Sequence, residues 1–168
     1  MKKILETPRL FLREFETADA PSFFALNANP NVIRYTGNTA FTSIEDAQLF
    51  LENYSDYREN GYGRWAVLLK DSGRFLGWCG LKFDVEKQQT DIGFRFFEEE
   101  WGKGYATESA QACLKVGFET FQLKEIVGRA MKANRASIRV LEKVGLHYVE
   151  DIVLDQQEAV LYKTVKKE

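Results

Sequence analysis

The sequence predicts a mixed α/β domain of the α+β kind: a mostly antiparallel central sheet flanked by helices, with one parallel strand pair. Three observations predict it. Apolar segments that alternate in polarity fold back as hairpins around short polar turns at residues 70–73 and 155–158. From Gly104 the period lengthens to that of a helix, with Ala106, Ala110, Cys113, Leu114, Gly117 and Phe121 along one stripe. That helix stands between two strand-like segments, residues 90–97 and 126–127, and a strand-helix-strand unit within one sheet makes its strands parallel.

The remaining elements follow in order. Residues 7–15 (Thr7-Pro-Arg-Leu-Phe-Leu-Arg-Glu-Phe) alternate and form the first strand. Thr17-Ala-Asp-Ala-Pro21 starts a helix carrying Phe23, Phe24 and Leu26, which Asn29-Pro30 stops, and residues 31–35 add a further turn. Ser43-Ile-Glu-Asp46 is a capping box with Asp in place of Glu or Gln, and Ala47, Phe50, Leu51, Tyr54 and Tyr57 continue one helix to Asn60-Gly61. Residues 65–69, 75–83 and 90–97 are three antiparallel strands. Residues 134–143 form a second helix with Ile138, Leu141 and Val144 inward and Gly145 as its C-cap. Residues 146–149 and 159–165 make the closing hairpin. There is no internal repeat or long linker, so residues 1–168 are expected to form a single domain.

Composition narrows the function. A formal charge of -2 argues against general nucleic-acid binding, which needs an excess of Lys and Arg. The N-terminus lacks the apolar core of a signal peptide, and no apolar run reaches the ~18 residues of a membrane span. Cys79 and Cys113 lie far apart without CxxC spacing and read as buried thiols of a cytoplasmic protein. No metal site is expected: His147 is the sole histidine, it reads as a strand residue packed at the core edge, and Asp84-Val-Glu86 reads as a hairpin edge.

The chemistry concentrates at Trp101-Gly-Lys-Gly104, between a strand and a helix start. Unpartnered N–H groups and the helix dipole favour an anion there, and Gly102 and Gly104 let it approach. The nucleotide motifs do not fit. A dinucleotide fingerprint needs a third glycine where Thr107 stands, and a P-loop needs a GxxxxG frame before its Lys.

Trp101-Gly-Lys-Gly104-Tyr-Ala106 instead resembles the acyl-CoA motif [Gln/Arg]-x-x-Gly-x-[Gly/Ala] of the GCN5-related N-acetyltransferase (GNAT) superfamily, matching its fourth and sixth positions but not its first. The longer string through Glu108 resembles the RimJ/RimL-like ribosomal-protein acetyltransferase branch. So do Thr7-Pro-Arg-Leu-x-Leu-Arg13, Asp91-Ile-Gly-Phe94, and Asn134-x-x-Ser137-x-x-Val140-x-x-Lys143-x-Gly145-Leu146, with Leu146 where Phe is commoner. Four motifs in the expected order span nearly the whole chain.

The resemblance implies a GNAT fold with one splayed parallel pair and direct acetyl transfer from acetyl-CoA to a primary amine, on a protein N-terminus or a small molecule. It places the CoA pyrophosphate on Trp101, Gly102, Lys103, Gly104, Tyr105, Ala106 and Thr107, and pantetheine along the backbone of Phe94, Arg95 and Phe96. Asn134 is implied to bond the pantetheine arm and Arg135 to reach the ribose phosphate. The segment 125–128 would splay from the preceding strand to admit the thioester. A homodimer suits the branch. Two catalytic candidates follow. Asp91 is either the general base that deprotonates the amine or a solvated carboxylate at a strand start; Ser137 is either the proton donor to the departing sulfur or a helix-start hydroxyl. Tyr105 is a pocket aromatic or a core residue, and the run Glu98-Glu-Glu100 attracts a cationic amine or is a solvated face. The alternatives in function are a non-catalytic acyl-CoA-binding regulatory domain of the same fold, and an unrelated phosphate-binding α/β protein.

Overall fold

Short hairpins dictate most of the sheet, and the computed structural model, which describes residues 3–168, shows how they join. The strands are β1 (Lys3–Glu6), β2 (Leu10–Arg13), β3 (Arg64–Leu69), β4 (Phe75–Asp84), β5 (Gln89–Phe96), β6 (Glu125–Met131), β7 (His147–Leu154) and β8 (Gln157–Val165). They form one eight-stranded sheet in the order β1-β2-β3-β4-β5-β6-β8-β7. Every neighbouring pair is antiparallel except β5 and β6, the strands joined through the long helix α5 (Tyr105–Glu119). The fold is the mixed, mostly antiparallel one expected.

Helices cover both faces. On one, α5 and α6 (Arg135–Lys143) contribute Tyr105, Ala110, Cys113, Leu114 and Leu141 to a core with Leu12, Trp65, Val67 and Cys79. On the other, α1 (Ala20–Ala28) and α3 (Ile44–Glu52), with the short α2 (Pro30–Ile33) between them in the chain, bury Ala20, Phe23, Ala47 and Leu51 against Phe75 and Trp78. Trp78 and Cys79 are adjacent on β4 and so point to opposite faces, which separates the two clusters. Arg13, at the end of β2, ties the second layer down. Its Nη1 and Nη2 donate to Asp19 Oδ2 and Oδ1 at 2.8 and 2.7 Å, and both side chains are only 7% exposed. Asp19 also accepts the Glu16 N–H at 2.8 Å just before α1.

Four sequence expectations are corrected here. The first strand is a hairpin of two, because residues 3–6 add the edge strand β1 and Thr7-Pro-Arg9 makes the turn. The helix expected over residues 43–60 is two helices, α3 and α4 (Asp56–Asn60). The chain breaks between them, and Tyr54 and Tyr57 grip the start of β3: Tyr54 Oη accepts the Arg64 N–H at 2.8 Å, while Tyr57 Oη donates to the Arg64 carbonyl. The strand at 126–127 extends over Glu125–Met131, since β8 pairs with its full length. His147 is exposed on the edge strand β7, not packed at the core edge. Cys79 and Cys113 are buried thiols with Sγ atoms 3.8 Å apart, and burial pushes the Cys113 thiol up.

Candidate active site

The glycine turn owes its shape to residues from both sides. Gly104 is the N-cap of α5 at φ +84°, a left-handed conformation that costs an L side chain roughly 1–2 kcal/mol. Its carbonyl accepts the Glu108 N–H at 3.0 Å, the first bond of the helix, so the N–H groups just beyond it have no helical acceptor. Arg9 braces this turn across nearly a hundred residues. Its Nη1 donates to the Lys103 carbonyl at 2.9 Å, its Nε to Glu108 Oε1 at 2.7 Å, and its guanidinium lies 4.6 Å from the centre of the Tyr105 ring. Thr7 Oγ1 donates to Glu108 Oε2 at 2.5 Å. The Thr7-Pro-Arg string was the signal for this brace, but the partner could not be read from it.

Glu108 feels opposed forces. Burial raises its carboxyl, and the hydrogen bonds from Thr7 and Arg9 outweigh burial, leaving it below the ordinary glutamate range. A carboxyl depressed in the folded state gives stability that is complete above its unfolded pKa and is lost as pH falls through the folded one. Glu108→Gln should therefore flatten the acid side of the stability–pH curve, with little change once the wild-type carboxyl would be protonated. Urea unfolding across the acid range checks this; parallel curves for the two proteins would remove Glu108 from the brace.

The charges near the turn are already engaged. Lys103 Nζ pairs with Glu100 at 2.9 Å, and Arg74 pairs with the same carboxylate at 3.2 Å. Glu100 is 3% exposed, so the solvated-face reading of residues 98–100 fails at its last member. Glu98 accepts from Asn29 and Asn31 instead. Tyr105 is 9% exposed and packs in the core under Arg9, which decides against a pocket aromatic. The indole of Trp101, itself half exposed, donates to the Phe96 carbonyl at 2.9 Å.

Beside the turn the sheet opens. Among the described residues the register of β5 with β6 is a single pair, Asp91 with Val127, whereas β5 pairs with β4 from Gln89 to Phe96. Past Asp91 the strands part, and the β6-facing edge of residues 93–96 has no ladder partner. A cavity of about 620 Å³ adjoins this opening. It brings together Asp91, Phe94, Arg95, Asn134 and Ser137. Trp101 to Thr107 and the exposed Arg135 do not line it.

Within the cavity wall, Asp91 is not free. Its Oδ1 pairs with Arg64 Nη2 at 2.7 Å and its Oδ2 with Arg129 Nη1 at 3.6 Å. Arg64 also donates to the carbonyls of Gly80 and Asp91 and lies 5.3 Å from the Trp78 ring centre. A Cβ on Gly93 would sit 2.7 Å from the Arg64 Cζ, so the glycine of Asp91-Ile-Gly-Phe94 is the space that this guanidinium occupies. Sequence reasoning missed Arg64, and no local pattern marks it. Asn134 uses its Oδ1 to accept the Ser137 N–H at 3.3 Å, capping α6. Both residues line the cavity, and neither the Asn134 Nδ2 nor the Ser137 hydroxyl has a hydrogen bond among the described residues.

The site thus joins a strand that parts from its parallel neighbour to a left-handed glycine cap at a helix start. The family model for the acetyltransferase (GNAT) domain matches residues 9–147. The chain is 37% identical over 158 residues to the uncharacterized protein YkkB of Bacillus subtilis (strain 168), covering 90% of this chain and 89% of that one. It is 33% identical over 147 residues to the uncharacterized N-acetyltransferase YoaA of the same strain, covering 86% and 83%. In fold it matches RimL, a ribosomal L7/L12 alpha-N-protein acetyltransferase in complex with coenzyme A, with a TM-score of 0.83 at 15% identity over 98% of both chains. The chain belongs to the GNAT acetyltransferase family. No helix among the described residues is long and apolar enough to cross a membrane, and no cluster of His, Cys, Asp or Glu among them could hold a metal ion.

Proposed function

We propose that the chain, as a single domain, is an acetyl-CoA-dependent N-acetyltransferase acting on a primary amine. The observation that carries this reading is the edge of β5 past Asp91, which β6 leaves unpaired beside the cavity of about 620 Å³ and of which the Phe96 carbonyl is taken by the Trp101 indole. The pyrophosphate sits on the N–H groups from Gly102 to Ala106, and pantetheine amides complete the ladder that β6 leaves unmade. The thioester then enters the cavity beside Ser137.

The acceptor amine must lose a proton before attack, since an alkyl ammonium has a pKa near ~10.4. Its lone pair adds to the thioester carbonyl, N–H groups on the parted strands stabilise the oxyanion, and collapse expels CoA thiolate. Ser137 donates its hydroxyl proton to that sulfur and regains one, through water, from the nitrogen of the intermediate, so the amine's second proton ends on the thiol. Of the two carboxylates on the wall, Asp91 and Asp155, Asp91 is the one beside the parted strands and is the candidate acceptor of the amine's proton. Its ion pairs make anchoring Arg64 and Arg129 its first role, and a base role would compete with that.

Two variants separate these roles. Ser137→Ala is expected to lower kcat by about 100-fold or more with the KM for acetyl-CoA nearly unchanged. Asp91→Asn is expected to lower activity while the acid limb of the kcat/KM–pH profile persists. An unchanged transfer rate in the first would remove the donor; disappearance of the limb in the second would make Asp91 the base.

A further inference from the structure

Arg95 differs from the arginines around it. Arg13, Arg64 and Arg129 each meet a carboxylate. Arg95 meets none within 4 Å among the described residues. Its Nη1 donates to Asn27 Oδ1, its Nη2 to Asn38 Oδ1 at 2.8 Å, and its guanidinium lies 5.2 Å from the Trp78 ring centre. Asn27 is 3% exposed and turns its Nδ2 to the Phe23 carbonyl at 2.8 Å, which fixes its Oδ1 toward Arg95. A positive charge is thus held in place on the cavity wall by neutral oxygens alone. Burial first, and the nearby Arg64 second, bring its pKa down to about 10.

The rest of the cavity does not supply the missing charge. Arg64, Lys82, Arg95 and Arg129 line it against Asp91 and Asp155. Asp91 is already shared between Arg64 and Arg129, and the Asp155 carboxylate is pressed against the backbone at Gly37. A desolvated cation without an anion is costly, and a bound anion relieves that cost. A polyamine entering here would add positive charge to it.

We infer that the acceptor is a small amine bearing a carboxylate, of the amino-acid or short-peptide class, with Arg95 as the residue that holds the carboxylate while the amine points to the opening beside Ser137. This rests on the transfer reading above. The planar guanidinium matches a carboxylate with two parallel hydrogen bonds. The aromatic walls, among them Phe23, Phe41, Phe50 and Trp78, suit an apolar side chain on the acceptor.

The test is thiol release from acetyl-CoA with a panel of amino acids, each paired with its own carboxamide, and with spermidine and phosphoethanolamine as further arms. Each is measured on the wild-type chain, Arg95→Gln and Arg95→Lys. Comparing acid-to-amide ratios between proteins cancels the different basicities of the two amines. The wild-type ratio should fall about 10- to 100-fold in Arg95→Gln and recover partly in Arg95→Lys, with thermal stabilisation by CoA retained in both. A ratio that Arg95→Gln leaves unchanged, or a wild-type preference for spermidine or phosphoethanolamine, overturns the inference. If no amine releases thiol, calorimetric titration of the CoA-bound protein with the amino acids decides. Binding that Arg95→Gln abolishes upholds the carboxylate site and sinks only the transfer reading; no binding overturns both.

Discussion

Gly104→Val is expected to abolish CoA binding, raising Kd more than about 100-fold while leaving the core folded. Three costs coincide. A β-branched residue at φ +84° is strained by at least the roughly 1–2 kcal/mol of the left-handed region. A Cβ there would stand 3.3 Å from Arg9 Nη2, pushing on the side chain that holds the Lys103 carbonyl. Relief of either strain moves the first N–H groups of α5, which are the proposed ligands of the pyrophosphate. Lys103→Ala is the contrasting case. Lys103 is committed to Glu100, so its removal should change the Kd for CoA by less than about threefold. Calorimetry on both variants checks the pair. Normal binding by Gly104→Val would mean that the turn does not carry the phosphates.

Asp19→Ala should give the largest loss of stability. Arg13 and Asp19 form a two-bonded pair with both side chains only 7% exposed, and removing one partner of such a pair costs about 3–5 kcal/mol by stranding the other charge. The Asp19 hydrogen bond holds the Arg13 guanidinium above its ordinary value against burial. Without Asp19 that support is lost, but a guanidinium stays protonated in a protein, so the charge is stranded. For a chain of this size each kcal/mol lowers Tm by roughly 2–4 °C, which puts the fall at about 6–20 °C. Replacing both residues with apolar ones of similar volume should cost much less than the single change. A loss under about 1 kcal/mol for Asp19→Ala would show that water reaches the pair and screens it.

Local pattern carried the middle of the chain. The small-residue stripe of α5, the Asn134 to Gly145 helix and the hairpins around residues 70–73 and 155–158 were legible because period and turn chemistry act within a few residues. The edge strand β1 was not, since Lys3-Ile-Leu-Glu6 is half exposed and too short to alternate visibly. The break after α3 was hidden too. Tyr54 and Tyr57 keep helical spacing, and only their bonds to the start of β3 reveal that the chain turns.

The site divided in the same way. Glycine turn, Asn134 and Ser137 stood out as motifs. Arg9 and Arg64 act through partners far along the chain, Glu108 and Asp91, so the motif around Arg9 did not reveal its partner and nothing near Arg64 announced a role. Arg95 was read for its backbone, and its side chain mattered only once Asn27, Asn38 and Trp78 had been brought around it. Glu100 looked like part of a solvated run because its pairing with Arg74 joins segments 26 residues apart, and the local Lys103, three residues on, does not by itself imply burial.

The central claim is that the parted β5–β6 edge delivers an acetyl thioester to an amine. Its most direct measurement is simultaneous detection of free CoA thiol and N-acetylated amine after incubation with acetyl-CoA and the acceptor panel. The account predicts equal molar yields of both, dependent on amine and lost in Gly104→Val. Tight CoA binding with neither product across the panel would contradict it and leave a non-catalytic acyl-CoA-binding domain in its place.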